Sequence, residues 1–134
     1  MRPPEEVKRI LVNEWLAKAE EDWTAANVLL AEKVLLVATI GFHAQQAAEK
    51  YLKAFLVANQ VEFPKTHDLE EILDMVGCVK ADLAASLRDA KALTKYAVET
   101  RYPSGPEIAD PQEAAPAVAL ASMVRQAILT ALGR

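Results

Sequence analysis

Between Glu5 and Phe63 the chain has no proline and a single glycine, Gly41, so nothing in the backbone chemistry interrupts a helix there. The remaining breakers are as sparse, with prolines at 3, 4, 64, 103, 106, 111 and 116 and further glycines at 77, 105 and 133. Hydrophobic periodicity fills the free stretches. Val12, Trp15, Leu16, Ala19, Trp23, Ala26, Leu29 and Leu30 recur at spacings of three and four, which predicts a first helix between about Glu6 and Glu32. Both tryptophans fall on its apolar stripe and read as core packing.

One helix running from 6 to 59 would outgrow a small domain, so a turn is expected between Lys33 and Leu36. The second helix then runs to about Asn59. It places Ile40, Ala44, Ala47, Ala48, Tyr51, Phe55 and Ala58 on one broad face, with Gln46, Glu49 and Lys53 opposite. His43 and Lys50, seven residues apart, share an edge of the apolar face, where a polar group is half buried and held in position. A third, short helix opens at Thr66-His67-Asp68, with capping-box spacing between Asp68 and Glu71, and is expected to stop at Gly77. A fourth is expected from about Asp82 to Arg101, burying Leu83, Leu87, Ala90, Leu93 and Ala97 and showing Arg88, Lys91 and Lys95 outward, with Lys95 pairing to Glu99. The fifth starts at Asp110-Pro111 or one turn later at Pro116 and buries Val118, Ala121, Val124, Ile128 and Leu132.

No alternating β pattern or repeat appears, so the chain reads as one all-α domain over 1–134, an antiparallel up-and-down bundle of four long helices and one short one. A chain of 134 residues with 52% apolar residues can bury one core. Surplus apolar surface suggests a two-fold dimer. The longest uninterrupted apolar run, Val34 to Ile40, is too short to cross a bilayer, and no secretory signal opens the sequence, so a soluble cytoplasmic protein is expected. Cys78 is alone, which excludes an internal disulfide and reads as a small core residue. The net charge of −4 argues against a general nucleic-acid coat but leaves room for a local basic groove.

Phosphate loops, HExxH and nucleophile elbows are absent, and neither histidine has an acidic residue three positions before it, so no metal or other cofactor is expected. The remaining candidates are His43, Gln46, Lys50, Lys53, His67, Lys95, Tyr96, Arg101 and Tyr102. His43 can exchange protons near neutrality. Arg101, at a helix end and followed by Tyr102-Pro103, has the fork to grip a phosphate while the tyrosine stacks on a base.

Ala19-Glu20-Glu21-Asp22-Trp23, the run Phe42 to Ala54, Thr66-His67-Asp68-Leu69, and Tyr96 followed by Thr100-Arg101-Tyr102-Pro103 together resemble the HEPN domain family over about residues 12 to 132. The resemblance implies a helical bundle, usually a homodimer, in proteins often encoded beside a minimal nucleotidyltransferase and frequently acting as toxin–antitoxin pairs. It also implies, for many members, a metal-independent ribonuclease whose Arg-x(4–6)-His motif supplies a histidine for the ribose 2′-hydroxyl and an arginine for phosphorane charge. No histidine follows Arg101 here, so that motif is incomplete. The leading expectation is therefore a non-enzymatic dimer that binds nucleotide or RNA phosphate through His43, Gln46, Lys50, Lys53, Lys95, Arg101 and Tyr102, with a nucleotidyltransferase as partner. The alternatives are a ribonuclease toxin using Arg101 with a displaced His43 or His67, and a pure protein-interaction module.

Overall fold

The computed structural model describes residues 4–33, 35–97 and 110–134. Among these residues every regular element is helical. Helix α1 spans Pro4–Leu30, α2 Val37–Ala58, α3 Leu69–Val79, α4 Ala81–Ser86 and α5 Ala114–Ala131, with 3-10 segments at Arg88–Tyr96 and Pro111–Glu113.

Helix α2 is the axis of the molecule. Fourteen of its 22 residues are buried, including Ile40, Ala44, Ala47, Ala48, Tyr51 and Phe55 on the predicted face. The run of alanines on that face lets neighbouring helices approach closely, and Tyr51, Leu52, Leu56, Ile72 and Leu73 fill the remaining space. Helix α1 lies antiparallel beside it, as the pairing of Asp22 with Lys50 and of Trp15 with Lys53 requires. Helix α5 also runs antiparallel to α1, because Trp23 meets Ser122 while Glu20 meets Arg125. It starts beside the start of α2, where Ala114 and Val118 join Val37 and Ile40 in a second apolar cluster. Thus α2 and α5 point the same way. By composition alone Pro111–Ala131 is long and apolar enough to cross a membrane, with a mean hydropathy of 1.3. Its two charged side chains are both engaged: Arg125 stacks on Trp23 at 4.1 Å and pairs with Glu20, and Glu113 pairs with Lys95, which ties the segment into the bundle.

The expected turn between the first two helices is present, with α1 ending at Leu30 and α2 starting at Val37. Asp68 caps α3 by accepting the Glu70 amide proton at 3.0 Å, but Glu71 bonds the Thr66 hydroxyl rather than closing a capping box. Gly77 does not stop α3, which continues to Val79, and Cys78 is exposed rather than packed in the core. The main departure is the fourth helix. It ends as an α-helix at Ser86 and continues as a 3-10 segment to Tyr96, so three long helices instead of four are present among the described residues; its expected end at Arg101 lies outside them. The reason is visible in the spacing: Leu87, Ala90, Leu93 and Tyr96 are all buried and recur every three residues, the period of a 3-10 helix.

Candidate functional site

Polar side chains run around α2 in one arc: Lys50 and His43, then Gln46 and Lys53, then Glu49 and Gln45. The two edges of this arc have different partners.

At the first edge a single carboxylate from α1, Asp22, receives two donors from α2. His43 Nδ1 lies 2.8 Å from Oδ1 and Lys50 Nζ 2.5 Å from Oδ2. A carboxylate only accepts, so the imidazole proton sits on Nδ1 and Nε2 is the remaining functional nitrogen. The Asp22 side chain is 13% exposed, against 29% for His43 and 22% for Lys50. The shared carboxylate is therefore sunk beneath its partners, while imidazole and ammonium still reach solvent. Phe42 packs edge-on to the imidazole at 5.6 Å and restricts its rotation.

At the second edge the arc turns inward. Gln46 donates to Gln45 Oε1 at 2.6 Å, Gln45 donates to Glu49 Oε1 at 2.9 Å, and His67 Nδ1 reaches the same oxygen at 2.8 Å. Lys53 takes the other Glu49 oxygen at 3.0 Å and the Thr66 carbonyl at 3.1 Å. Its ammonium also lies 5.7 Å from the Trp15 ring centroid and 5.5 Å from that of Phe63. Glu49 and Lys53 were expected on a polar face opposite the core and are instead buried, because the segment from Phe63 to Asp68 folds over them. Every buried polar side-chain atom among the described residues has a partner, so this ion pair is satisfied rather than available. His67 remains mostly exposed above it.

A third cluster ties three helices together. Glu20 accepts from Tyr51 at 2.6 Å and from Arg125 at 2.6 Å. Burial works against the Glu20 carboxylate, but the bonds from Arg125 and Tyr51 outweigh it and hold its pKa below the usual value. Burial, followed by the Glu20 charge, pushes the Tyr51 phenol well up, and the Glu20 bond raises Arg125 further. These groups are fixed in their neutral or charged forms and serve the fold.

Lys95 has partners other than the Asp22 trio. It lies over the Tyr96 ring and 3.4 Å from Glu113, which also accepts the Tyr96 hydroxyl at 2.6 Å. Burial and then that bond raise the Tyr96 pKa. Arg101, Tyr102 and Glu99, the expected partner of Lys95, lie outside the described residues. Of the expected site, the structure brings together His43 and Lys50 with Gln46 beside them, and separates Lys53, His67 and Lys95 from them by partner and by burial. Asp22 was not among the candidates although it organises the pair. Its signal was in the sequence: the Ala19 to Trp23 stretch puts an acid on the α1 side facing α2.

No cluster of three or more metal-ligating side chains occurs among the described residues. The arrangement defines a class: a helical module with a carboxylate-anchored imidazole and ammonium at a helix–helix contact. The model of the HEPN domain matches residues 12–131, and the chain belongs to this family. No curated protein and no solved structure matches it.

Proposed function

We propose that the protein binds the phosphate of a nucleotide or RNA where His43 and Lys50 meet Asp22. The observation that carries this reading is the shared carboxylate, which pre-positions two nitrogen donors without burying them. Asp22 accepts one hydrogen bond from each side chain, which leaves the other Lys50 ammonium protons and the Nε2 edge of His43 for a ligand. Gln46, one turn from each, offers a further polar contact. Membership of the HEPN family supports the ligand class, and with it the expectation of a homodimer acting beside a minimal nucleotidyltransferase in a toxin–antitoxin pair.

Titration with AMP and with a short single-stranded RNA tests the site. Losing a charge-assisted hydrogen bond costs about 1.5–3 kcal/mol, so Lys50→Ala is expected to weaken binding roughly 10- to 100-fold, with His43→Ala acting in the same direction. Unchanged affinity in both variants would remove the assignment. The same RNA incubated with EDTA separates binding from metal-independent cleavage: intact RNA supports a binding module, whereas cleavage lost on His43→Ala supports the ribonuclease alternative. Co-elution with a co-expressed nucleotidyltransferase tests the partner.

A further inference from the structure

A cleft of about 460 Å³ opens on the outer side of α1, lined by Glu14, Trp15, Ala17 and Lys18. That lies within the range of roughly 300–1,000 Å³ typical of small-ligand pockets. Trp15, Lys18 and Asp22 follow one another at spacings of three and four, so they share one side of the helix. Seven residues of rise put Trp15 and Asp22 about 10 Å apart. Facing α2 repeats the order, with Lys53 against the Trp15 ring and Lys50 and His43 on Asp22. The Trp15 cleft and the Asp22 trio therefore lie two turns apart on one side of α1, with the exposed Lys18 between them.

Resting on the phosphate reading above, the geometry points to Trp15 as the base-stacking platform of a nucleotide whose phosphate sits at His43 and Lys50. An indole face accepts any base, and it is held here by the edge-on Phe63 ring at 6.0 Å and by the Lys53 ammonium behind it. The base, ribose and phosphate of one nucleotide in extended form cover the distance between the two subsites. Lys18 adds a cation along that path, and the Glu14 carboxylate accepts from a ribose hydroxyl or a base amine. Such a site favours a nucleotide over inorganic phosphate, because the stacked base adds contacts that phosphate lacks.

Two single-tryptophan variants of the full chain test this. Trp23→Phe retains Trp15 as the only fluorophore, and Trp15→Phe retains Trp23. AMP is expected to quench the first and leave the second unchanged. Ala17→Phe fills the cleft from an exposed position without disturbing the core. It is expected to weaken AMP about tenfold or more while leaving inorganic phosphate binding as it was. Equal quenching of both tryptophans, or AMP affinity unchanged by Ala17→Phe, overturns the proposal. If AMP and phosphate bind equally well and both are lost with Lys50→Ala, the base platform falls and the phosphate reading stands. If adenosine binds as well as AMP and Lys50→Ala has no effect, the phosphate reading fails, and the two-part nucleotide site fails with it.

Discussion

Gly41 on α2 lies directly beneath the Tyr96 ring, and a Cβ built there falls within 2.6 Å of Cε1 and closer still to Cδ1. Both residues are buried, with Tyr96 only 3% exposed and its hydroxyl bonded to Glu113. Gly41→Ala therefore sets two effects against each other. Alanine gains about 1 kcal/mol over glycine in a helix interior. Against this, overpacking a filled site costs about 1–3 kcal/mol, and a displaced Tyr96 loses its hydrogen bond to a carboxylate, worth about 1.5 kcal/mol. The ring wins, and the variant is expected to be less stable by roughly 2 kcal/mol, a fall in Tm of about 5–10 °C for a chain of this length. The decisive control is the same change in a Tyr96→Ala background. There the space is open, only the propensity gain remains, and Gly41→Ala is expected to stabilise by up to about 1 kcal/mol. Thermal and urea unfolding of the four proteins give the coupling. If Gly41→Ala is neutral or stabilising with Tyr96 in place, or has the same effect in both backgrounds, the close approach does not govern this site.

Two further outcomes follow from the paired charges. Lys53→Met leaves Glu49 buried with one partner fewer and is expected to destabilise by about 3 kcal/mol in urea unfolding, with Glu49→Gln in the same chain recovering most of the loss. If Glu49→Gln recovers none of the loss, the pair is not energetically coupled. The Glu20 pKa is lowered in the folded state, so its contribution is complete above the ordinary value of 4.5 and is lost as pH falls below it towards the folded value. Stability measured against pH is expected to fall less on the acid side in Glu20→Gln than in the parent chain; parallel acid limbs would contradict this.

Much of the fold was legible because local signals agreed with each other. Helix α2 could be read from Ile40, Ala44, Ala47, Tyr51 and Phe55, and the start of α3 from Asp68, since periodicity and a cap are both short-range properties. The 3-10 segment was missed because Leu83, Leu87, Ala90 and Leu93 satisfy an α-helical stripe nearly as well as a threefold one, and only the continuation to Tyr96 distinguishes the two. Glu49 and Lys53 were misplaced for a different reason. Their spacing put them together on the polar face, but what buries them arrives from residues 63–68 by long-range contacts that no periodicity encodes. The candidate site was half legible: His43 and Lys50 were found on their helix edge, whereas Asp22, although its place beside the apolar stripe of α1 could be read, shows its pairing with them only when α1 and α2 are docked.

The hydrogen bonds that end at Glu49 have a direction. An ionised carboxylate only accepts, so Gln45 must turn its amino group inward, and that group spends its two protons on Glu49 and on the His67 carbonyl at 3.4 Å. Gln45 is left with an acceptor, which only a donor from Gln46 satisfies. The orientation of one amide thus dictates that of the next, and the buried acid is read out at the half-exposed end of the chain as a Gln46 carbonyl oxygen. Gln46 presents that oxygen together with the second proton of its amino group, so it can meet either a donor or an acceptor.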